Sequence, residues 1–116
     1  MLQVLRGDVF RADPEPVHGS EQAGTCPVVV VSRDALNKFS LVVVVCSITG
    51  AANEKKVYPS HVRVASGTGG LTIDSIVVCE QIRPISKTRL KHHVGKFDKN
   101  VLSSIGAALN ITLDLP

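Results

Sequence analysis

The sequence predicts a mainly β (α+β) domain: a small barrel or strongly curved sheet of five to seven short, mostly antiparallel strands, with short helices and a C-terminal helix. Three observations predict it. Valine is in excess over the helix formers, and branched side chains suit a pleated, half-buried surface. Apolar runs at 28–32, 41–47 and 73–82 are short and bounded by Pro, Gly and Ser. Only the segment from Asp98 onward carries a clear helical spacing. Aromatic residues are 3% of the chain (Phe10, Phe39, Tyr58 and Phe97), so the core must be mostly Val, Ile and Leu.

Taken in order, residues 9–13 form a short strand ended by Pro14 and Pro16, which cannot donate to a ladder. The loop 15–25 is about eleven residues, long for a compact domain, and loops of that length are often functional. The runs 28–32 and 41–47 are continuous and apolar, the mark of central strands covered on both faces. Between them, 34–38 has room for one helical turn capped by Asp34 or Ser32. The polar stretch 50–57, with Glu54, Lys55 and Lys56, reads as a mobile loop or lid. A strand over 61–65 follows Pro59, then a glycine-rich turn at 67–70. The next strand, 73–82, is expected to stop at Pro84. A short helical turn at 86–90 leads to a strand or extended segment at 93–97. The C-terminal helix starts with Asp98 as N-cap, and Val101, Leu102, Ile105, Ala108 and Leu109 form its buried face. Gly106 costs roughly 1 kcal/mol relative to alanine within a helix, and the expected compensation is close packing on the sheet.

The 116 residues read as a single domain, 1–116, able to bury one core without disulfides or metal. A net charge of +3 leans weakly toward anionic partners. Scarce aromatics exclude a broad base-stacking platform, so any nucleic-acid site would be a groove using hydrogen bonds and a few charges. With no Trp and one Tyr, the chain also lacks an aromatic groove for proline-rich peptides. Cys26, Cys46 and Cys79 are odd in number, widely spaced and unsuited to a disulfide framework or a metal site. Cys46 and Cys79 lie in apolar runs and are expected in the core. No signal peptide is read, and no apolar run approaches the ~18 residues of a membrane span. The expectation is a cytoplasmic protein with no metal, no cofactor and no membrane association.

The residues most suited to chemistry are polar groups at strand ends and loops, where a rigid scaffold meets water and substrate. Ser20, Glu21 and Gln22 stand together in a glycine-bounded loop that delivers the chain at Pro27 into the second strand. Thr49 ends an apolar strand, and Glu80-Gln81 stands at the end of another. Arg6 and Arg83 lie near these motifs but could simply pair with carboxylates such as Asp8 or Asp74. His92 and His93 are adjacent on one extended segment, so their rings point to opposite faces and joint acid–base catalysis is not expected. A covalent-cysteine enzyme would need a histidine near Cys26; only His18, in the same loop, offers one.

RGDVF at 6–10, GSEQAG at 19–24 and PVVVV at 27–31 occur in that order. RDALNKFS follows at 33–40, VVVVCSIT at 42–49, PSHV at 59–62, GLTIDSIVVCEQIRPISKTRL at 70–90 and VGKF at 94–97. Together, and with the final helix, this order resembles the MazF/PemK family of bacterial toxins over almost the whole chain. The resemblance implies an SH3-like (PemK-like) barrel, which periodicity alone does not separate from an OB-type barrel. It further implies a metal-independent endoribonuclease that cuts single-stranded RNA at a short sequence by 2′-hydroxyl attack, leaving 2′,3′-cyclic phosphate and 5′-hydroxyl ends. A symmetric homodimer and a cognate antitoxin with an acidic, disordered tail are the implied partners.

Mapped by motif, the resemblance implies that Thr49 donates its hydroxyl to the phosphate and that Glu21 is an acid/base or orienting carboxylate. Ser20 and Gln22 would hold the loop or the RNA, while Glu80 and Gln81 would read base edges, with Pro59 and Ser75 also lining the RNA path. Position 26 departs from the pattern: the family's arginine is replaced by Cys26. A thiol offers one poor donor in place of a charged fork, and losing a donor to transition-state charge costs ~10²–10³ in rate. Three explanations follow. The chain is an engineered or selected inactive variant, since an active toxin kills its host; or it is a natural homologue that binds without cutting; or Arg11 or Arg33 reaches the same site. The first is favoured, and a non-catalytic RNA- or antitoxin-binding barrel is the rival class.

Overall fold

Six strands form one antiparallel sheet in the computed structural model, which describes residues 3–13, 25–52 and 54–116. They are β1 (Asp8–Ala12), β2 (Cys26–Val30), β3 (Val42–Gly50), β4 (His61–Val64), β5 (Ser75–Ser86) and β6 (Leu90–Lys96), in the spatial order β4-β5-β3-β2-β1-β6. The helices are α1 (Asp34–Phe39) and α2 (Lys99–Leu113). This is the mainly β body expected, with one refinement: the sheet is open, because β4 and β6 do not pair with each other.

The valine runs lie at its centre. In β2, Val28, Val29 and Val30 are all fully buried, because alternate side chains feed two different cores. Val29 packs with Val9, Cys46, Val77, Phe97 and the α2 residues Ile105 and Ala108. Val28 and Val30 pack on the other face with Phe10, Val43, Val45, Ile85 and Leu90. Cys46 and Cys79 are buried and free, as expected. A hydrogen bond with Cys79, together with burial, pushes the Cys46 thiol up and keeps it protonated.

Helix α2 begins where its sequence predicts. The Asp98 carboxylate accepts from the Val101 amide at 3.0 Å, satisfying one of the orphan donors of the first turn. Gly106 does not play the expected role, since a Cβ built there would meet nothing within 4 Å.

Other expectations shift. The N-cap of α1 is Arg33, with no side-chain cap bond; neither Asp34 nor Ser32 serves. Ser32 instead accepts from the Val44 amide at 3.0 Å and bonds the buried Asn37, whose Nδ2 donates back to the Ser32 carbonyl at 2.8 Å, tying α1 to β3. Strand β5 does not stop at Pro84, which pairs in register with Val44. Strand β4 pairs with β5 only over Ser75–Val78, so the far edge at Pro84 carries no ladder for its missing N–H to break. The 50–57 stretch starts as the end of β3, and Arg63 donates to the Glu54 and Lys56 carbonyls beneath it. Arg6 takes neither Asp8 nor Asp74: its Nε donates to the Val31 carbonyl at 3.3 Å, while Asp8 meets His93 at 3.2 Å and Asp74 accepts from the Ser66 amide. Among the described residues, no helix is long and apolar enough to cross a membrane.

Candidate active site

Strand β2 starts at Cys26, immediately before Pro27, and its ladder with β3 ends at the Val28–Ser47 pair. Two residues further along the same register, Cys26 and Thr49 stand across from each other on one face, beyond the last pairing. Both are exposed. With no ladder between them, the ends of the two strands border a cleft of about 480 Å³ whose walls include Arg11, Thr25, Cys26, Thr49 and Ser75.

The side chains around this cleft differ in how they are held. Thr49 pairs with Ile76 in the ladder between β3 and β5, one pair before its end at Gly50–Ser75. Ser75 is buried, and its hydroxyl donates to the Ile73 carbonyl at 2.9 Å, so it shapes the wall. Arg11 stands opposite Pro27 in the β1–β2 ladder, on the reverse face from Cys26. The cleft lies over the ends of the strands, where both faces contribute to its wall. Arg11 Nε donates to Thr25 Oγ1 at 2.8 Å and Nη2 donates to the Thr25 carbonyl at 2.6 Å, holding the guanidinium beside the residue that precedes Cys26. Arg33 is elsewhere, on the surface of α1 with Leu36 and Phe39.

A second group of expected residues lies apart from this cleft. The β3–β5 register jumps between Cys46–Ile82 and Ser47–Val78, leaving Cys79, Glu80 and Gln81 as a bulge. Glu80 and Gln81 are thereby exposed. The Glu80 carboxylate meets His61 Nε2 at 3.3 Å, and the ring of Tyr58 meets His61 edge-on at a centroid distance of 4.8 Å. Exposed Pro59 lies in the turn before β4, between Tyr58 and the Ser60 carbonyl that accepts from Cys79 N. The Ser60 hydroxyl, then the Glu80 backbone amide and His61, lower the Glu80 pKa from its ordinary value and favour the carboxylate. Ser20, Glu21 and Gln22, and His18 with them, lie outside the described residues. Tyr58 had no motif to announce it, His61 stood only within PSHV, and Arg11 only as one of two candidate replacements; the β4–β5 register brings His61 to Glu80, and the β1–β2 register brings Arg11 to the cleft.

The chain matches the model of the PemK-like, MazF-like toxins of type II toxin–antitoxin systems over residues 5–113. It is 41% identical over 110 residues to Endoribonuclease MazF of Staphylococcus saprophyticus, covering 95% of this chain and 91% of that protein. Its fold is similar to an endoribonuclease solved in complex with its cognate antitoxin from Mycobacterial species, with a TM-score of 0.79, 25% identity and coverage of 97% of this chain and 96% of the other. It also superposes on a MazE–MazF structure from Deinococcus radiodurans, with a TM-score of 0.82 at 21% identity and full coverage of both chains. The strand-end cleft and the bulge thus sit on the fold these toxins share, and the chain belongs to the PemK/MazF toxin family of type II toxin–antitoxin systems.

Proposed function

We propose that the protein is an endoribonuclease toxin that cleaves single-stranded RNA, such as mRNA, at a short sequence, and that the cleft over Cys26 and Thr49 is where it does so. The observation that carries this is exposed Thr49 at an open strand end, lining the same cleft as an arginine, in a member of this family. The reaction demands little of a protein, since the nucleophile is part of the substrate. The RNA 2′-oxygen forms a bond to phosphorus and the P–O5′ bond breaks. The 2′ proton passes to the Glu21 carboxylate, and O5′ takes up a proton from water. The products are a 2′,3′-cyclic phosphate and a 5′-hydroxyl. Thr49 donates its hydroxyl to a phosphoryl oxygen as charge grows there. Ser20 and Gln22 hold the loop or the RNA. Glu80 and Gln81, exposed by the bulge, read base edges along a path bordered by Pro59 and Ser75. The nucleophile is internal to the RNA, so no metal or other cofactor is required.

The remaining parts of the reading follow from family membership: a single domain working as a cytoplasmic homodimer, silenced by a cognate antitoxin whose acidic, disordered tail suits the net charge of +3. Cys26 favours a second reading, a barrel that binds RNA or antitoxin without cutting, because a thiol cannot replace a charged fork. The two are separated by incubating a long single-stranded RNA with the protein in EDTA. Fragments that polynucleotide kinase labels without prior phosphatase treatment, and whose 3′ ends resist phosphatase until acid opens a cyclic phosphate, establish the proposed chemistry. Intact RNA with both this chain and its Cys26→Arg variant supports the binding module.

A further inference from the structure

We infer that Arg11, reaching the cleft from the neighbouring strand, is the catalytic cation of this nuclease, and that position 26 does not need to supply one. The inference rests on the nuclease reading above and deepens it by naming the group that carries the positive charge. In-line attack on a phosphodiester concentrates negative charge on the non-bridging oxygens, and a water-shielded site stabilises it with fixed donors, most effectively charged ones. Among the described residues lining the Thr49 cleft, Arg11 is the only one with an ionisable cationic side chain. Cys26, Thr25, Thr49 and Ser75 offer neutral groups, and the Ser75 hydroxyl is already committed to Ile73.

The way Arg11 is held fits a catalytic role. Two of the five guanidinium donors fasten it to the side chain and carbonyl of Thr25, and three N–H groups are left without a partner among the described residues. The bonds to Thr25 fix the plane of the fork next to Cys26, so the remaining donors need little ordering when a phosphate arrives. No carboxylate pairs with Arg11 among its described contacts, and the side chain is exposed at the cleft. A small residue at position 26 leaves space at the strand end that a long side chain there would fill. The cation has in effect moved one strand over, from the start of β2 to the end of β1.

The test compares the protein with Arg11→Gln, Arg11→Lys, Cys26→Arg and the double variant Arg11→Gln/Cys26→Arg, with Arg33→Gln as a control away from the cleft. Single-turnover cleavage of a long RNA in EDTA is read beside affinity for a 2′-deoxy oligonucleotide that cannot be cut. The expected result is cleavage by the unaltered chain and by Arg33→Gln. Arg11→Gln should then lose ~10²–10³ in rate, with only a few-fold change in affinity for the uncleavable oligonucleotide. Arg11→Lys should fall between them, and the double variant should recover cleavage because a fork at position 26 faces the same phosphate. Arg11→Lys keeps the test decisive if Arg11→Gln folds poorly, since a lysine as inactive as a glutamine would speak for structure and against charge. Undiminished cleavage by folded Arg11→Gln overturns the inference and leaves the nuclease reading standing. A silent unaltered chain made active by Cys26→Arg alone does the same. Silence from every variant overturns both.

Discussion

At the scale of single residues, the cleft and the bulge make different demands. Thr49 is exposed at a strand end, where removing its hydroxyl costs the fold little, so Thr49→Ala should reduce RNA cleavage by ~10²–10³ while leaving the melting curve in place. A variant that cuts at the parental rate would remove Thr49 from the reaction. Glu80 makes a prediction in pH. Its folded-state pKa lies below the ordinary value, chiefly through the Ser60 hydroxyl, so folding favours the carboxylate. The stability this contributes is present above the unfolded pKa and is lost as pH falls through the folded one. Followed by the carboxyl-carbon NMR shift, Glu80 should titrate below an unperturbed glutamate, and Ser60→Ala should move its midpoint upward. An unmoved midpoint in Ser60→Ala would break the link to that hydroxyl. The functional consequence is an acceptor-only side chain on the bulge at neutral and mildly acid pH, suited to base-edge amino groups.

At the scale of elements, α2 carries two predictions of opposite sign. Asp98 accepts from the Val101 amide, and Asp98→Ala should destabilise the protein by ~1 kcal/mol in urea unfolding. Gly106 has open space where a Cβ would go and no positive φ, so Gly106→Ala should stabilise by ~0.5–1 kcal/mol. A loss of stability there would mean that an unseen partner covers this face. The cap and buried face of α2 were legible because capping and the 3.6-residue period are local properties of the chain. Pro84 shows the limit. A proline reads as a strand stop, yet it is tolerated inside β5 because β4 is too short to use that edge, and edge status depends on a strand about twenty residues away. The candidate site divides in the same way. Thr49 and Cys26 were legible as strand ends, but Arg11 could be placed in their cleft only once the β1–β2 register was known. Similarly, His61 meets Glu80 only because β4 pairs with β5.

At the scale of the whole molecule, the open sheet still has to cover the core that a closed barrel would enclose. Its two edges, β4 and β6, share no hydrogen-bonded ladder. The gap is filled by the 3₁₀ turn Thr68–Gly70, which follows β4 and lies against β6. The contact is backbone on backbone. A Cβ built on Gly95 of β6 would collide with the Gly69 carbonyl and crowd the Gly70 amide at 2.9 Å, while one built on Gly70 would run into the Val94 carbonyl. Gly70 also has φ of +81°, which a side chain disfavours, whereas Gly95 is not at positive φ and is excluded from carrying a side chain by space alone. Gly70 and Val94 both border the Thr49 cleft, so the same closure sets one of its walls. Gly95→Ala must push the turn away from β6, because the obstacle is main chain and cannot rotate aside. The expected cost is about 3 kcal/mol, the upper part of the range for overpacking a tight contact. It should appear as a fall in the urea midpoint with little change in slope, because the variant exposes nearly the same area on unfolding as the parent chain does. RNA cleavage should fall too, even in the fraction that remains folded, since the wall facing Thr49 has moved. Gly106→Ala supplies the contrast: the same added methyl, placed in open space on α2, should leave cleavage unchanged. If Gly95→Ala kept full stability, the glycine contact would not be what closes the sheet, and the cleft wall would have to be held by the core beneath it.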